Sequence, residues 1–291
     1  MNPSAVVLLS GTPSSGYEKL WSQAQLLGWK IYKKDFYDRY CNYDLVNFHT
    51  TPYPIKVLRK NNPYKNVDEL KQRLREHGAI FKKTEEVMDL PEQIFTDINV
   101  DNTKEYKQFL KDKIITITDK ALYDEGEELV ADHPFRNYKY KRKLCSVFNP
   151  HKVNALKEIL ESTDERVIIF YNFNDELYLL REICEKLEKP VSEINGHIKN
   201  LDNYEKFDNS VTLCNYQAGS KGINLQKANR MIFFTPTDKS EDYEQSIKRI
   251  HRIGTTSTCF YYRLIVRDSI EEKMYTSLEK HQDYNYRLFE D

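Results

Sequence analysis

The spacing of apolar residues is most regular in the last part of the chain, residues 151–291. Val167–Tyr171 is a short run of β-branched and aromatic residues, which predicts a buried strand, and Val211–Asn215 is also predicted to be a strand. Amphipathic segments separate such runs, and this alternation indicates a parallel sheet covered by helices on both faces. The further predicted strands are Met231–Thr235 and Thr258–Val266, and the predicted helices are Lys152–Ser162, Asp175–Leu187, Glu241–Arg252 and Ser269–Lys280.

Two less regular stretches precede this region. Residues 1–65 open with the apolar run Ala5–Leu9, which predicts a buried strand, and a helical pattern follows at Tyr17–Leu27. One strand and one helix cannot enclose a core without partners. We therefore expect this stretch to be the remnant of a larger unit.

The middle stretch, residues 66–150, is predicted to be a mostly helical linking region. Val67–His77 and the start of Asp101–Asp119 have helical patterns, whereas Ile94–Val100 alternates like a strand. A basic and aromatic run, Arg136–Lys143, follows. It can be interpreted as a surface linker or as a contact with nucleic acid.

Composition narrows the range of functions. The net charge of -1 is far from the strongly basic balance of a purely electrostatic nucleic-acid binder, so any DNA contact must use a local patch. No apolar run approaches the roughly 18 residues of a membrane helix. We expect a soluble, intracellular protein with no membrane partner.

The five cysteines are widely spaced and form no CxxC pair, so the sequence predicts neither a zinc site nor a disulfide framework.

Two polar segments near the end of the chain carry the candidate chemistry. Gln217–Leu225 follows a predicted strand and contains Gly219 and Gly222, where the backbone can approach a ligand closely. On the next predicted helix, Arg249 and Arg252 are three residues apart and so share a face. Two guanidinium groups on one face can clamp phosphate oxygens, although a solvated basic surface is the alternative.

These segments resemble motifs of a known family. Gly222-Ile-Asn-Leu225, followed by Gln245-x3-Arg249-x2-Arg252-Ile-Gly254, is similar to motifs V and VI of Swi/Snf-type members of helicase superfamily two. Further segments match in the family's order. They are Leu9-Ser-Gly-Thr-Pro13 (motif III), Phe81–Val87 with Leu90-Pro91 (the "RRTK…V…LP" signature), Val167–Phe170 (motif IV) and Ser269–Lys273 (the helix after motif VI).

The resemblance implies an α/β fold: a RecA-like C-terminal lobe with a parallel sheet and helices on both faces, preceded by a mostly helical segment and a remnant of the first lobe. Only eight residues precede the motif III segment, and no GxxxxGK[ST] phosphate loop occurs. We therefore expect the chain to be the C-terminal part of a two-lobe motor that cannot hydrolyse ATP alone. Asp175-Glu176 follows a strand but stands in the wrong place for the family's acidic Mg-binding motif.

Site residues follow from the same resemblance. Arg249 and Arg252 would be arginine fingers assisted by Gln245, and Gly222 and Asn224 would lie near the nucleotide. ATP and Mg would bind only in a composite site with a first RecA-like lobe, supplied in cis or in trans. Double-stranded DNA would be followed through its backbone without sequence preference. The expected DNA contacts are Ser10, Thr12, Asn172, Gln217, Ser220 and Lys221.

Two interpretations of function stay open at this point. The first is part of an ATP-driven translocase or helicase-like motor. The second is a non-enzymatic DNA- or protein-binding regulatory module derived from such a motor. Retention of both Arg249 and Arg252 favours the first, because a docking module does not need arginine fingers.

Overall fold

The structure is a computed structural model that describes residues 16–47, 53–59, 61–80, 89–117, 127–219 and 222–280. The motif III segment and residues 81–87 of the "RRTK" signature lie outside the described residues. Contacts divide the chain into one unit ending at Val87 and a second beginning at Met88. The sequence predicted a different division, into three regions with boundaries after residues 65 and 150.

The first unit has a small hydrophobic core. Helix α1 spans Trp21–Leu26 after a 3-10 turn at Tyr17–Leu20, and helices α2 and α3 span Lys33–Tyr40 and Val67–Glu76. The buried residues are Leu20, Ala24, Phe36, Tyr40, Leu70 and Leu74.

An antiparallel hairpin, which was not predicted from the sequence, lies between helices α2 and α3. It joins β1 (Tyr43–Val46) to β2 (Ile55–Leu58).

The second unit contains, within its described residues, a seven-stranded sheet. Its strands are β3 (Gln93–Val100), β6 (Val167–Tyr171), β7 (Val191–Ile194), β8 (Lys199–Asn200), β9 (Val211–Asn215), β10 (Arg230–Phe233) and β11 (Cys259–Val266). The spatial order is β3-β11-β10-β6-β9-β7-β8, and every pairing except β7 with β8 is parallel. A second hairpin, β4 (Ile114–Ile117) with β5 (Glu127–Val130), stands apart from this sheet.

Helices of the second unit connect these strands. Their bounds are α4 (Lys104–Asp112), α5 (Pro134–Cys145), α6 (Pro150–Glu161), α7 (Asn174–Lys186), α8 (Asp202–Lys206), α9 (Tyr216–Gly219), α10 (Ser240–Ile247) and α11 (Ile270–Glu279). Local chemistry fixes several starts: the Asn149 and Ser269 side chains accept backbone N–H groups at the first turns of α6 and α11, and Pro150 follows Asn149.

Alternate strand residues enter two separate hydrophobic clusters, one on each face of the sheet. In β6, Val167, Ile169 and Tyr171 pack into one cluster with α6 and α7, whereas Ile168 and Phe170 pack into the other. Burial on both faces explains why this strand is a continuous apolar run. The predicted parallel α/β sheet with helices on both faces is confirmed.

Strand β3 comes from the stretch that was expected to be a linking region. It pairs in parallel with β11 along its whole length, from Gln93 opposite Cys259 to Val100 opposite Val266. The alternating pattern at 94–100 correctly predicted a strand. Its place at the edge of the second unit's sheet was not predicted.

A buried ion pair joins α6 to α11. Lys152 and Glu271 are fully buried, and Lys152 Nζ donates to Glu271 Oε1 at 2.5 Å. The other oxygen of Glu271 accepts the backbone N–H of Val266 at 3.0 Å. These contacts tie the first helix after Asn149 to the end of β11.

Candidate functional site

The two candidate arginines lie in the turn that follows α10. We expected a helix from Glu241 to Arg252, but α10 ends at Ile247, so the expectation that a shared helix face aligns the arginines is wrong. A surface loop aligns them instead. Arg249 donates from Nε to the carbonyl of Gln245 at 2.9 Å and from Nη1 to the carbonyl of Ile223 at 3.0 Å.

Arg252 reaches the same loop one residue further on. Its Nη1 donates to Oδ1 of Asn224, and the backbone N–H of Leu225 donates to the carbonyl of Arg249 at 3.1 Å. The structure therefore brings Arg249, Arg252 and Asn224 together. Gln245 contributes its backbone carbonyl, while its side chain donates to Glu241 Oε1 at 2.9 Å. We call residues 222–225 and 248–255 the arginine site.

The two arginines of this site are not neutralised by acidic side chains of the described residues. Within the described part of the chain, neither Arg249 nor Arg252 forms an ion pair, and Nη2 of both guanidinium groups has no hydrogen-bond partner. Burial and, to a smaller degree, the charge of Arg252 lower the pKa of Arg249. Two adjacent cations without a carboxylate form a site suited to an anion.

Short contacts shape the turn itself. The Thr255 hydroxyl donates to the carbonyl of Ile250 at 2.5 Å, and the backbone N–H of Thr255 donates to the carbonyl of Arg252 at 3.0 Å. Gly254 reverses the chain with a φ of +96°. Thr255 therefore closes the turn.

Gly222 adjoins the arginine site with a φ of +68°. A Cβ at this position would meet no atom of the described residues within 4 Å, so the backbone conformation is what favours glycine. Gly219 has a different reason to be glycine. A Cβ there would lie 2.8 Å from Cβ of Cys214 and 3.2 Å from the Phe170 ring, so α9 packs closely on the sheet.

The candidate DNA contacts Asn172 and Gln217 belong to a second group, which follows the carboxyl ends of β6, β9 and β10. The Asn172 amide donates to the hydroxyl of Thr235 at 2.8 Å and to the carbonyl of Pro236 at 3.0 Å. Asn215 donates to the Asn172 carbonyl at 3.0 Å and accepts the backbone N–H of Gln217 at 3.1 Å. The Asn172 amide thus links the residue after β6 to the loop after β10. Gln217, in contrast, is exposed. Ser10, Thr12, Ser220 and Lys221 lie outside the described residues.

Glu176 and Arg142 hold this second group in place, and neither role was predicted from the sequence. Glu176 is fully buried at the start of α7, and its Oε2 accepts the backbone N–H of Asn172 at 2.8 Å and the hydroxyl of Thr235 at 3.0 Å. Arg142 is 3% exposed and donates to the carbonyl of Pro236 at 2.6 Å. In the sequence, one signal pointed to the role of Glu176: it stands three residues after Phe173, the spacing of a carboxylate that caps a helix.

Two charged segments have structural partners. The run Arg136–Lys143 is not a surface linker but part of α5, in which Arg142 and Lys143 are buried. Asp175 pairs with Lys143 at 2.7 Å, and Glu176 caps α7.

No group of three or more His, Cys, Asp or Glu side chains among the described residues is placed to hold a metal ion.

Part of this chain is similar to a known protein domain. Residues 151–254, which include the whole arginine site except its last residue, match the helicase conserved C-terminal domain. This region of the chain is similar to the C-terminal domain of ATP-dependent helicases such as FUN30. The solved C-terminal part of the Fun30 ATPase domain has the same fold, with a TM-score of 0.53 and 18% identity over 69% of this chain and 95% of that one.

Curated relatives of this helicase domain are much longer. The ATP-dependent helicase FUN30 of Saccharomyces cerevisiae is 29% identical over 58% of this chain and 16% of its own length. The DNA repair protein rhp54 of Schizosaccharomyces pombe is 30% identical over 41% of this chain and 15% of its own. An uncharacterized ATP-dependent helicase of Mycoplasma genitalium, MG018, is 29% identical over 66% and 20%. The chain thus spans about a sixth to a fifth of these relatives. None of the described helices is long and apolar enough to cross a membrane.

Proposed function

We propose that this helicase domain works as the second lobe of an ATP-driven motor on double-stranded DNA. The observation that carries the proposal is the pair Arg249 and Arg252, fixed on one loop without acidic partners among the described residues. In a composite site, their guanidinium groups would neutralise charge that develops on the γ-phosphate during hydrolysis. Gln245 would assist them, and Gly222 and Asn224 would border the nucleotide.

The arginine site fits the phosphate end of a nucleotide but offers no phosphate loop. The sequence has no GxxxxGK[ST]. A first RecA-like lobe, in cis or in trans, would supply that loop, the Mg ligands and the catalytic acid. Arginine fingers stabilise the transition state without holding the substrate, so this chain alone should not hydrolyse ATP.

Reconstitution with a first lobe tests the proposal. ATP hydrolysis should appear only when this chain, a Swi/Snf-type first lobe and duplex DNA are all present. Arg249→Ala and Arg252→Ala should each lower kcat by about 10³–10⁵, with a smaller change in ATP affinity. Arg→Lys should not rescue either variant, because a point charge cannot replace the planar fork of donors.

A matched control is Arg267→Ala. Arg267 is exposed and its ion pair with Asp101, at 3.3 Å, lies outside the arginine site. This variant should keep the wild-type rate. Arg142→Ala is unsuitable as a control because Arg142 is buried and donates to the carbonyl of Pro236 and the hydroxyl of Tyr138. Normal hydrolysis by both finger variants would show that the arginine site is only a basic surface.

A DNA-binding experiment distinguishes the proposed motor from a sequence-specific binding module. For the chain alone, we expect weak binding to two unrelated duplexes, with equal affinities that fall steeply with salt, because phosphate contacts dominate. Substitution of exposed Gln217 by Glu should weaken both complexes alike. A preference for one duplex that persists at high salt would contradict the motor and favour a sequence-specific regulatory module.

A further inference from the structure

His251 lies between the two arginines of the turn and points away from their loop. Its Nε2 is 2.8 Å from the carbonyl oxygen of Pro91. Pro91 belongs to residues 89–92, the described residues that lead into β3, which we call the connecting segment. A side chain of the arginine site thus holds the backbone of the connecting segment.

Two further contacts fix the same segment beside the turn. The backbone N–H of Cys259 donates to the carbonyl of Glu92 at 2.9 Å. Gln93 Nε2 donates to the hydroxyl of Tyr261 at 3.0 Å, and that hydroxyl donates to the carbonyl of Ile247 at 3.0 Å, at the end of α10. The connecting segment is therefore bonded to the start of β11 through Glu92, and Tyr261 links Gln93, the first residue of β3, to the end of α10.

We propose that His251 is a positioning residue that sets the guanidinium groups of Arg249 and Arg252 according to the path of the connecting segment. This inference rests on the proposed function of the arginine pair. Residues 248–255 form no regular helix or strand, so side-chain contacts decide where the turn lies. Arg249 and Arg252 bind the turn to residues 223–225, and His251 binds it to Pro91 on the other side.

The consequence concerns the backbone that leads into β3. Through the bond to Pro91, a change in the path of the connecting segment would move His251 and, with it, the arginine turn. The arginines would reach their productive position only when the connecting segment lies as it does here. Hydrolysis would then depend on the position of this segment as well as on nucleotide and DNA.

The first experiment measures steady-state ATP hydrolysis by the reconstituted two-lobe enzyme on duplex DNA. His251→Ala should lower kcat by about ten- to a hundredfold, the cost of misplacing a catalytic group by about 1 Å, and should leave KM for ATP nearly unchanged. His251→Gln keeps an N–H donor of similar reach and should restore most of kcat. The matched control is His197→Ala, since His197 is an exposed histidine of the same unit.

The second experiment needs no catalysis. In the 15N-labelled chain, the side-chain Nε–H resonances of Arg249 and Arg252 should shift in His251→Ala and return towards their wild-type positions in His251→Gln. The resonance of Arg267 should stay in place in both variants. Unchanged Arg249 and Arg252 resonances in His251→Ala would overturn the inference, as would a wild-type kcat.

The two experiments separate this inference from the proposed function. If Arg249→Ala hydrolyses ATP normally while His251→Ala shifts the arginine resonances, the positioning role stands and the finger role fails. If Arg249→Ala is inactive while His251→Ala has wild-type kcat and wild-type resonances, the fingers stand and the positioning role fails. Equal loss of kcat in His251→Ala and His251→Gln would also overturn the inference, because it would show that the hydrogen bond is irrelevant.

Discussion

Removal of the buried cation Lys152 should destabilise the second unit strongly. Lys152 and Glu271 are both fully buried, and Lys152 Nζ is 2.5 Å from Glu271 Oε1. Lys152→Met fills a similar volume but leaves a buried carboxylate without its cation. Breaking such a pair costs about 3–5 kcal/mol, which lowers the melting temperature of a unit of this size by roughly 6–20 °C.

The stability that Lys152→Met loses should depend on pH. Burial raises the pKa of Glu271, and the charge of Lys152 lowers it. Without Lys152, the pKa of Glu271 in the folded state rises further. A carboxyl group with a raised pKa contributes stability that is present below its unfolded value and lost as pH rises through its folded value. The deficit of Lys152→Met should therefore be largest at pH 7 and shrink towards pH 5.

The assay can distinguish the two units. Both tryptophans, Trp21 and Trp29, lie in the first unit, so urea denaturation followed by tryptophan fluorescence reports that unit alone. Far-ultraviolet circular dichroism follows both units. In Lys152→Met the fluorescence transition should stay in place, while the remaining dichroism transition moves to lower urea.

Two matched variants complete the design. Lys152→Met with Glu271→Gln removes both charges and keeps an acceptor for the Val266 N–H, so it should recover most of the lost stability. Lys186→Met breaks the exposed pair with Glu182 and should cost less than about 0.5 kcal/mol. A loss below about 1 kcal/mol in Lys152→Met at pH 7, or an equal loss at pH 5 and pH 7, would refute the reasoning.

Three further predictions concern packing. Gly219→Ala should destabilise the second unit by about 1–3 kcal/mol, measured by urea denaturation, because the new Cβ would overlap Cβ of Cys214; a neutral result would show that α9 moves freely. Burial raises the pKa of the Cys145 and Cys214 thiols and raises that of Cys184 to about 12. None of these three thiols should react with a disulfide reagent at pH 8 before unfolding, and fast labelling of any of them would contradict this. Asn172→Leu should lower stability by about 1–3 kcal/mol, because it removes the donors to the Thr235–Pro236 loop, and calorimetry would check it.

Sequence patterns predicted the central strands well because those strands are buried on both faces. Val167–Tyr171 and Val211–Asn215 were predicted with the bounds that the structure shows. Continuous apolar runs of this length are compatible with few other environments. β3 was predicted as a strand from its alternation, but its partner β11 is more than 150 residues away in sequence, and no local pattern specifies that pairing.

The polar residues were harder to place from sequence. Arg142 and Lys143 stand in a run of basic and aromatic residues that is typical of an exposed surface, since charged side chains are rarely buried. The structure buries both because Pro236 and Asp175 supply partners for them, and these partners lie on other elements. For Arg249 and Arg252, the spacing predicted proximity correctly for the wrong reason, because loop 222–225 rather than a helix face aligns them.

The two polar groups lie at opposite ends of the parallel strands. His251 and Cys259 place the arginine turn beside the start of β3 and β11. Asn172 and Thr235 follow the ends of β6 and β10, and Asn215 is the last residue of β9. The chain between β9 and β10 must cross from one end of the sheet to the other, because these strands run in the same direction. It borders the asparagine group at its beginning and the arginine site at Asn224. The proposed motor would have to relate its nucleotide contacts at the arginine site to DNA contacts at the asparagine group. The shortest covalent route between the two groups is that single crossing segment, which carries the Gly-Ile-Asn-Leu motif.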